Sequence, residues 1–183
     1  MLRRKGKSHG AKETRGKYSK GKSIRKRDKS VYSRQEAGHR EADTAVSGQG
    51  KSKACFAALA ERKTRFYIAV KIPGRKAETM ENAIVAALSA FPSQLVKTIT
   101  CARGTEFANW LQIEERLHCE VYFADPYCAW QKGAIENLNG LLREFYPRGR
   151  NISRVAPATL KRDLALLNAR PRKVLNFHYA QDL

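Results

Sequence analysis

The chain has 183 residues, room for one ordinary domain and a tail. Its 36 Lys and Arg face 17 Asp and Glu, a net charge of +19, with an isoelectric point near 10.1 and a mean hydropathy of -0.58. No apolar run approaches the roughly eighteen residues of a membrane span, and no apolar stretch follows the basic N-terminus, which excludes a transmembrane helix and a secretory signal.

The charge is uneven. Residues 1–40 carry 15 basic and 3 acidic side chains, net +12, whereas residues 41–183 carry 21 and 14, net +7. Such a balance points to a polyanion, with nucleic acid ahead of an anionic membrane surface. Residues 1–38 are polar, Gly/Ser-dotted and without periodicity, so they read as a flexible basic arm preceding a domain at 39–183. The Arg25-Lys26-Arg27 run is its candidate phosphate contact.

From residue 41 the pattern changes. Glu41–Val46, Ala54–Glu61 and Phe66–Ile72 read as three successive strands separated by short turns. Met80, Ile84, Leu88 and Phe91 then fall on one helical face, which Pro92 ends. Val96–Cys101 is a fourth strand, and Phe107, Trp110, Leu111 and Leu117 mark a second helix. Glu120–Ala124 is a fifth strand, stopped at Asp125-Pro126. Ile135, Leu138, Leu142 and Phe145 make a third helix closed by Pro147; Leu160, Leu164 and Leu167 make a fourth closed by Pro171. The order β-β-β-α-β-α-β-α-α implies an α/β, ribonuclease H-like domain with a mixed five-stranded sheet and flanking helices.

Cys55, Cys101, Cys119 and Cys128 stand 46, 18 and 9 residues apart, with no Cys-x-x-Cys pair. That spacing fits neither a zinc site nor a disulfide framework, and reduced cysteines suit the cytosol.

Phosphodiester chemistry on such a scaffold needs acids from distant parts of the chain, gathered around two Mg²⁺ ions about 4 Å apart. Asp43 lies inside the first strand, where an ionised side chain is out of place unless paired, metal-bound or at a solvent-facing edge. Glu136 belongs to a stripe of Lys132, Glu136, Asn139 and Arg143 opposite the apolar face of the third helix. Spacing alone favours an ordinary solvated face there. At the tip of the fourth strand, Thr100-Cys101-Ala102-Arg103-Gly104, no acid is found.

Several long strings occur together in one order: Glu41-Ala42-Asp43-Thr44, Glu61-Arg62-Lys63-Thr64-Arg65-Phe66, Gly104-Thr105-Glu106-Phe107, and Val121-Tyr122-Phe123-Ala124-Asp125-Pro126-Tyr127. They continue through Trp130-Gln131-Lys132-Gly133-Ala134-Ile135-Glu136-Asn137, Asn139-Gly140-Leu141-Leu142-Arg143 and Asn168-Ala169-Arg170-Pro171-Arg172-Lys173. Over nearly the whole chain they resemble a bacterial insertion-sequence transposase of the IS-thirty family, with its integrase-type core. The resemblance implies a DDE enzyme that uses Mg²⁺ or Mn²⁺ to nick element ends and join the freed 3′-hydroxyl to target DNA. It places the first catalytic, metal-binding Asp at Asp43 and the catalytic, metal-binding Glu at Glu136. The second Asp falls at Ala102.

A methyl group binds no metal, so the resemblance carries an expected loss of about a thousandfold or more in strand transfer. Glu106 and Asp125 are the nearby acids that could stand in; the helix N-terminus and the Asp-Pro turn offer each a plainer role. Arg40 and Asn176-Phe177 also depart from the family pattern, which has an aromatic and Gly-Trp there. The resemblance sets Met1 within a basic linker, so the helix-turn-helix region upstream in such proteins is expected to be missing. The reading is a truncated, impaired core, or a dead DNA-binding module. Its partners would be double-stranded DNA, through Lys132, Asn137, Arg143 and the Arg25–Arg27 run, and further copies of itself on DNA. Neither a membrane nor a small-molecule substrate is expected, and the place of work would be the bacterial cytoplasm, at the nucleoid.

Overall fold

The computed structural model describes residues 21–182 other than Gln49. Its strands are β1 (Lys22–Ser23), β2 (His39–Val46), β3 (Cys55–Glu61), β4 (Tyr67–Ile72), β5 (Thr98–Cys101) and β6 (Glu120–Phe123). Its helices are α1 (Ser30–Ser33), α2 (Ala77–Leu88), α3 (Trp110–Leu117), α4 (Gly133–Phe145) and α5 (Pro157–Asn168). The sheet runs β1-β6-β5-β2-β3-β4: β2, β3 and β4 are antiparallel neighbours, while β5 runs parallel to both β2 and β6. The expected order of strands and helices is therefore present, with a sixth, two-residue strand at the edge.

Strand alternation sorts the core into two faces. Ala42, Leu59, Ile99, Val121 and Phe123 meet Met80, Ile84 and Leu88 of α2 and Ile113 and Leu117 of α3. On the other face, Ala45, Phe56, Ala58 and Tyr67 meet Ile135, Leu138 and Leu142 of α4 and Leu160 and Leu167 of α5. There the Phe56 and Tyr146 rings pack edge to face at 5.1 Å. Pro147 follows α4 directly and cannot continue its hydrogen bonding.

Helices α4 and α5 cover only the β2–β4 half of that second face. Residues 21–34 lie against the β5–β6 half. β1 pairs in parallel with β6, Ile24 and Val31 are buried, and the buried Arg27 donates from Nη1 to Thr100 Oγ1 at 2.7 Å. The expectation of a flexible arm through residue 38 thus fails for residues 21–38. Two apolar anchors and one inward arginine suffice to seat a segment whose composition reads as solvated. Residues 1–20 of the expected arm lie outside the described residues.

The β4 edge is closed by a side chain. Asn168, at the end of α5, accepts from Tyr67 N at 2.9 Å and donates to Tyr67 O at 2.8 Å, standing in for a neighbouring strand. Removing it leaves two backbone groups unpaired. Asn168→Ala should therefore cost about 2 kcal/mol, read as a lower urea midpoint with an unchanged m-value. All four cysteines are free thiols. Burial pushes the Cys55 thiol up to about 11 and Cys119 up to about 12, and raises Cys101 as well. Cys128 is only partly buried. One thiol per chain should react with a disulfide reagent natively and four in denaturant.

Candidate active site

Glu41 and Asp43 stand two residues apart on β2 and so share one sheet face. Glu41 is fully buried. Arg62 Nη1 donates to its Oε1, and Ile135 N, in the first turn of α4, donates to its Oε2 at 2.9 Å. No side chain from α4's own N-cap performs that service. A carboxylate at the positive end of the helix dipole, neutralised behind by a guanidinium, therefore pins α4 to β2.

With α4 anchored there, its polar stripe turns to Asp43. Glu136, Asn139 and Arg143 line a cleft of about 640 Å³ together with Asp43–Gly48 and Arg148–Gly149. Asn139 Nδ2 donates to Asp43 Oδ2 at 3.1 Å, and the Tyr67 hydroxyl donates to Asn139 Oδ1 at 2.6 Å. Burial first, and the Asp43 charge second, raise the Tyr67 phenol, so it remains a donor. Lys132 Nζ lies 3.4 Å from Asp43 Oδ1. Arg143 donates to the carbonyls of Val46 (3.1 Å) and Tyr146 (3.3 Å), which fixes it in the cleft wall. Gly48 and Gly149 close the far end: a Cβ on Gly48 would overlap the Gly149 backbone, so only a glycine lets the two loops pass.

Comparison with known proteins bears on this geometry. The transposase InsI of insertion sequence element IS30A from Escherichia coli K12 is 34% identical over 182 residues, 98% of this chain and 47% of that protein. The transposase for insertion sequence element IS1086 from Cupriavidus metallidurans is 35% identical over 156 residues, 85% of this chain and 45% of that protein. The chain is homologous to the IS30-family transposases. It spans about half the length of these relatives. A putative integrase, ORF3 of Spiroplasma virus SpV1-R8A2 B, is 29% identical, with 99% of this chain and 54% of that protein covered. No family model matches the chain. Among solved structures, the catalytic core domain of BIV integrase superposes with a TM-score of 0.59 at 16% identity, covering 80% of this chain and 93% of that one. A chain of the simian T-cell lymphotropic virus intasome, in complex with the PP2A regulatory subunit B56 gamma, gives 0.58 at 14% identity, covering 71% of this chain and 48% of that one. The fold is the ribonuclease H-like fold of integrase cores.

Kinship with IS30-family transposases and integrases implies a divalent-metal requirement, and the donor set can be tested against it. β2 and β5 run parallel with Glu41 opposite Thr100. Continuing that register two places sets Ala102 abreast of Asp43. Ala102, at which the resemblance sets the second Asp, carries only a methyl group on the same side of the sheet as Thr100. Glu106 accepts from Thr44 Oγ1 at 3.3 Å. Glu106 stands in the first turn of the 3-10 helix Thr105–Phe107, the plainer role expected of it, and its bond is to Thr44 rather than to Asp43 or Glu136. Asp125 accepts from Arg25 Nε and Gln131 Nε2, each at 3.2 Å. Among the described residues no three His, Cys, Asp or Glu side chains gather as a metal site. The residues present do not fit a two-ion centre.

The remaining expected DNA contacts divide. Arg27 is buried against Thr100 and Lys132 is buried against Asp43, so neither presents its charge to solvent. Both corrections have one cause: a long basic stem buries readily once an internal acceptor meets its head. Lys26 and Asn137 are exposed, Asn137 outside the cleft wall, and Arg25 is exposed but paired with Asp125. No helix among the described residues is long and apolar enough to cross a membrane.

Glu41 is the residue that pattern reading passed over. Its signal was a second acid in the same apolar strand. Replacing it by Ala strands a buried Arg62 and frees Ile135 N, so Glu41→Ala should cost about 3–5 kcal/mol in denaturant unfolding. Glu41→Gln, which keeps the helix contact, should cost less.

Proposed function

We propose that this chain is the core of an insertion-sequence transposase that holds double-stranded DNA across the Asp43–Glu136 cleft, with Ala102 removing most of its cutting and joining activity. One observation supports the reading: the β2–β5 register pairs Glu41 with Thr100, and continued two places it brings Asp43 level with Ala102, the position to which the resemblance assigns an acid. Support for the DNA partner comes from transposase and integrase relatives and from the charge of +19.

In this reading Arg143 and Arg148 on the cleft wall, with exposed Lys26 and Arg25 nearby, take backbone phosphates. Asn137 adds a neutral contact from α4. Arg143 is suited to a fixed, oriented contact, since two carbonyls hold its guanidinium in place. Asp43 and Glu136 are the residues to which the family's Mg²⁺ or Mn²⁺ would fall. With a methyl at 102 they leave one ion short of a protein ligand. The protein would act as further copies assembled on DNA, in the bacterial cytoplasm at the nucleoid.

Two measurements test this. Duplex affinity should fall about a hundredfold between about 50 mM and 200 mM salt, as release of counterions from three to four phosphates requires. Metal-dependent nicking and strand transfer should be about a thousandfold or more higher in Ala102→Asp than in the unaltered chain. Equal rates in the two proteins would refute the impairment, and salt-insensitive binding would refute the phosphate contacts.

A further inference from the structure

The cleft already contains a cation. Lys132 ends the turn that leads into α4, and its side chain runs inward with 7% exposure. Its ammonium donates to the Ala42 carbonyl and forms an ion pair with Asp43 Oδ1, each at 3.4 Å. Asp43 Oδ2 is held by Asn139, which Tyr67 holds in turn. Both oxygens of the one acid on β2 that faces the cleft are therefore engaged by side chains of this chain.

Charge counting gives the same result. Asp43 and Glu136 bring two negative charges to the cleft, and Lys132, Arg143 and Arg148 bring three positive ones, before any ion or DNA enters. A hard divalent ion seeks about six oxygen ligands and a net negative site. Here it would have to expel an ammonium that has no other described acceptor than a carbonyl, and a buried ammonium left without its carboxylate is costly. A carboxylate at position 102 would tilt this balance by one charge; the methyl does not.

We propose that the Lys132 ammonium is the resident cation of this site, replacing the divalent metal at Asp43, so that the cleft meets DNA phosphate without a metal ion. The last clause rests on the DNA-binding reading; the cation assignment does not. Lys132 in this role is a positioning residue: it holds Asp43 from behind the cleft wall.

The test uses the full chain in the absence of DNA. Mn²⁺ is titrated by calorimetry and by thermal unfolding into the unaltered protein, Lys132→Met and Lys132→Arg. The unaltered chain and Lys132→Arg should show no saturable Mn²⁺ binding and no rise in Tm. Lys132→Met should gain a Mn²⁺-dependent rise in Tm that vanishes when Asp43→Asn is added. Without metal, Asp43→Asn should lower Tm in the unaltered chain by more than it does in Lys132→Met. Saturable Mn²⁺ binding by the unaltered chain that Asp43→Asn abolishes would overturn the assignment, as would a folded Lys132→Met that gains none. Should Lys132→Met fail to fold by circular dichroism, the Tm loss in Lys132→Arg decides. A loss on adding Asp43→Asn equal to that in the unaltered chain supports the ion pair, and no loss overturns it. Duplex binding is measured separately in EDTA and in Mn²⁺. Equal affinity supports the metal-free cleft, Mn²⁺-dependent affinity overturns it, and absent binding in both refutes the DNA reading while the protein-alone result stands.

Discussion

A single buried carboxylate sets the geometry of this molecule. Glu41 takes a backbone donor of α4 on one oxygen and Arg62 on the other, at zero exposure. Helix α4 has no cap of its own, so its height and rotation over the sheet follow from where β2 carries Glu41. Two residues further along the same face comes Asp43, and within little more than two turns of Ile135 along the helix come Glu136, Asn139 and Arg143. The cleft is the consequence of that one bond pattern. It also explains why a charged pair is kept in a region that apolar side chains could fill: the pair specifies a register between strand and helix, which packing alone would leave free to slide.

On that scaffold the proposed function turns on position 102, where Ala stands in place of the acid that the resemblance implies. The two acids of the cleft, Asp43 and Glu136, are outnumbered by Lys132, Arg143 and Arg148. The same arrangement that makes the site a poor metal centre makes it a tolerable host for a phosphate, because Arg143 is fixed at its wall and Lys132 neutralises the acid behind it. The proposed loss of cutting and the proposed DNA binding would then have one electrostatic origin.

Much of this was legible in the sequence. Strand alternation and helix spacing sufficed for the order of elements, since the apolar faces of β3, β4 and α4 are nearly uninterrupted. Asp43 and Glu136 stood out as a misplaced and a patterned acid, and the structure brings both into one cleft; Ala102 stood out only as a strand tip without an acid. What escaped was the direction of long basic side chains. Arg27 and Lys132 count toward the +19, yet both turn inward. Their partners, Thr100 and Asp43, lie 73 and 89 positions away in the chain, a relation that no local pattern displays. For the same reason residues 21–34 read as solvated: Ile24, Val31 and one inward arginine are too few to register as periodicity. Glu41 escaped because an acid beside a more exposed acid draws no separate notice.

The central claim is that the cleft of this chain holds an ammonium where a divalent metal would stand. Anomalous scattering at the manganese edge, from crystals of the unaltered chain soaked in Mn²⁺, addresses it most directly. The account expects the Lys132 side chain in density against Asp43 and no anomalous peak between Asp43 and Glu136. A strong peak there, with Lys132 swung away, would contradict it.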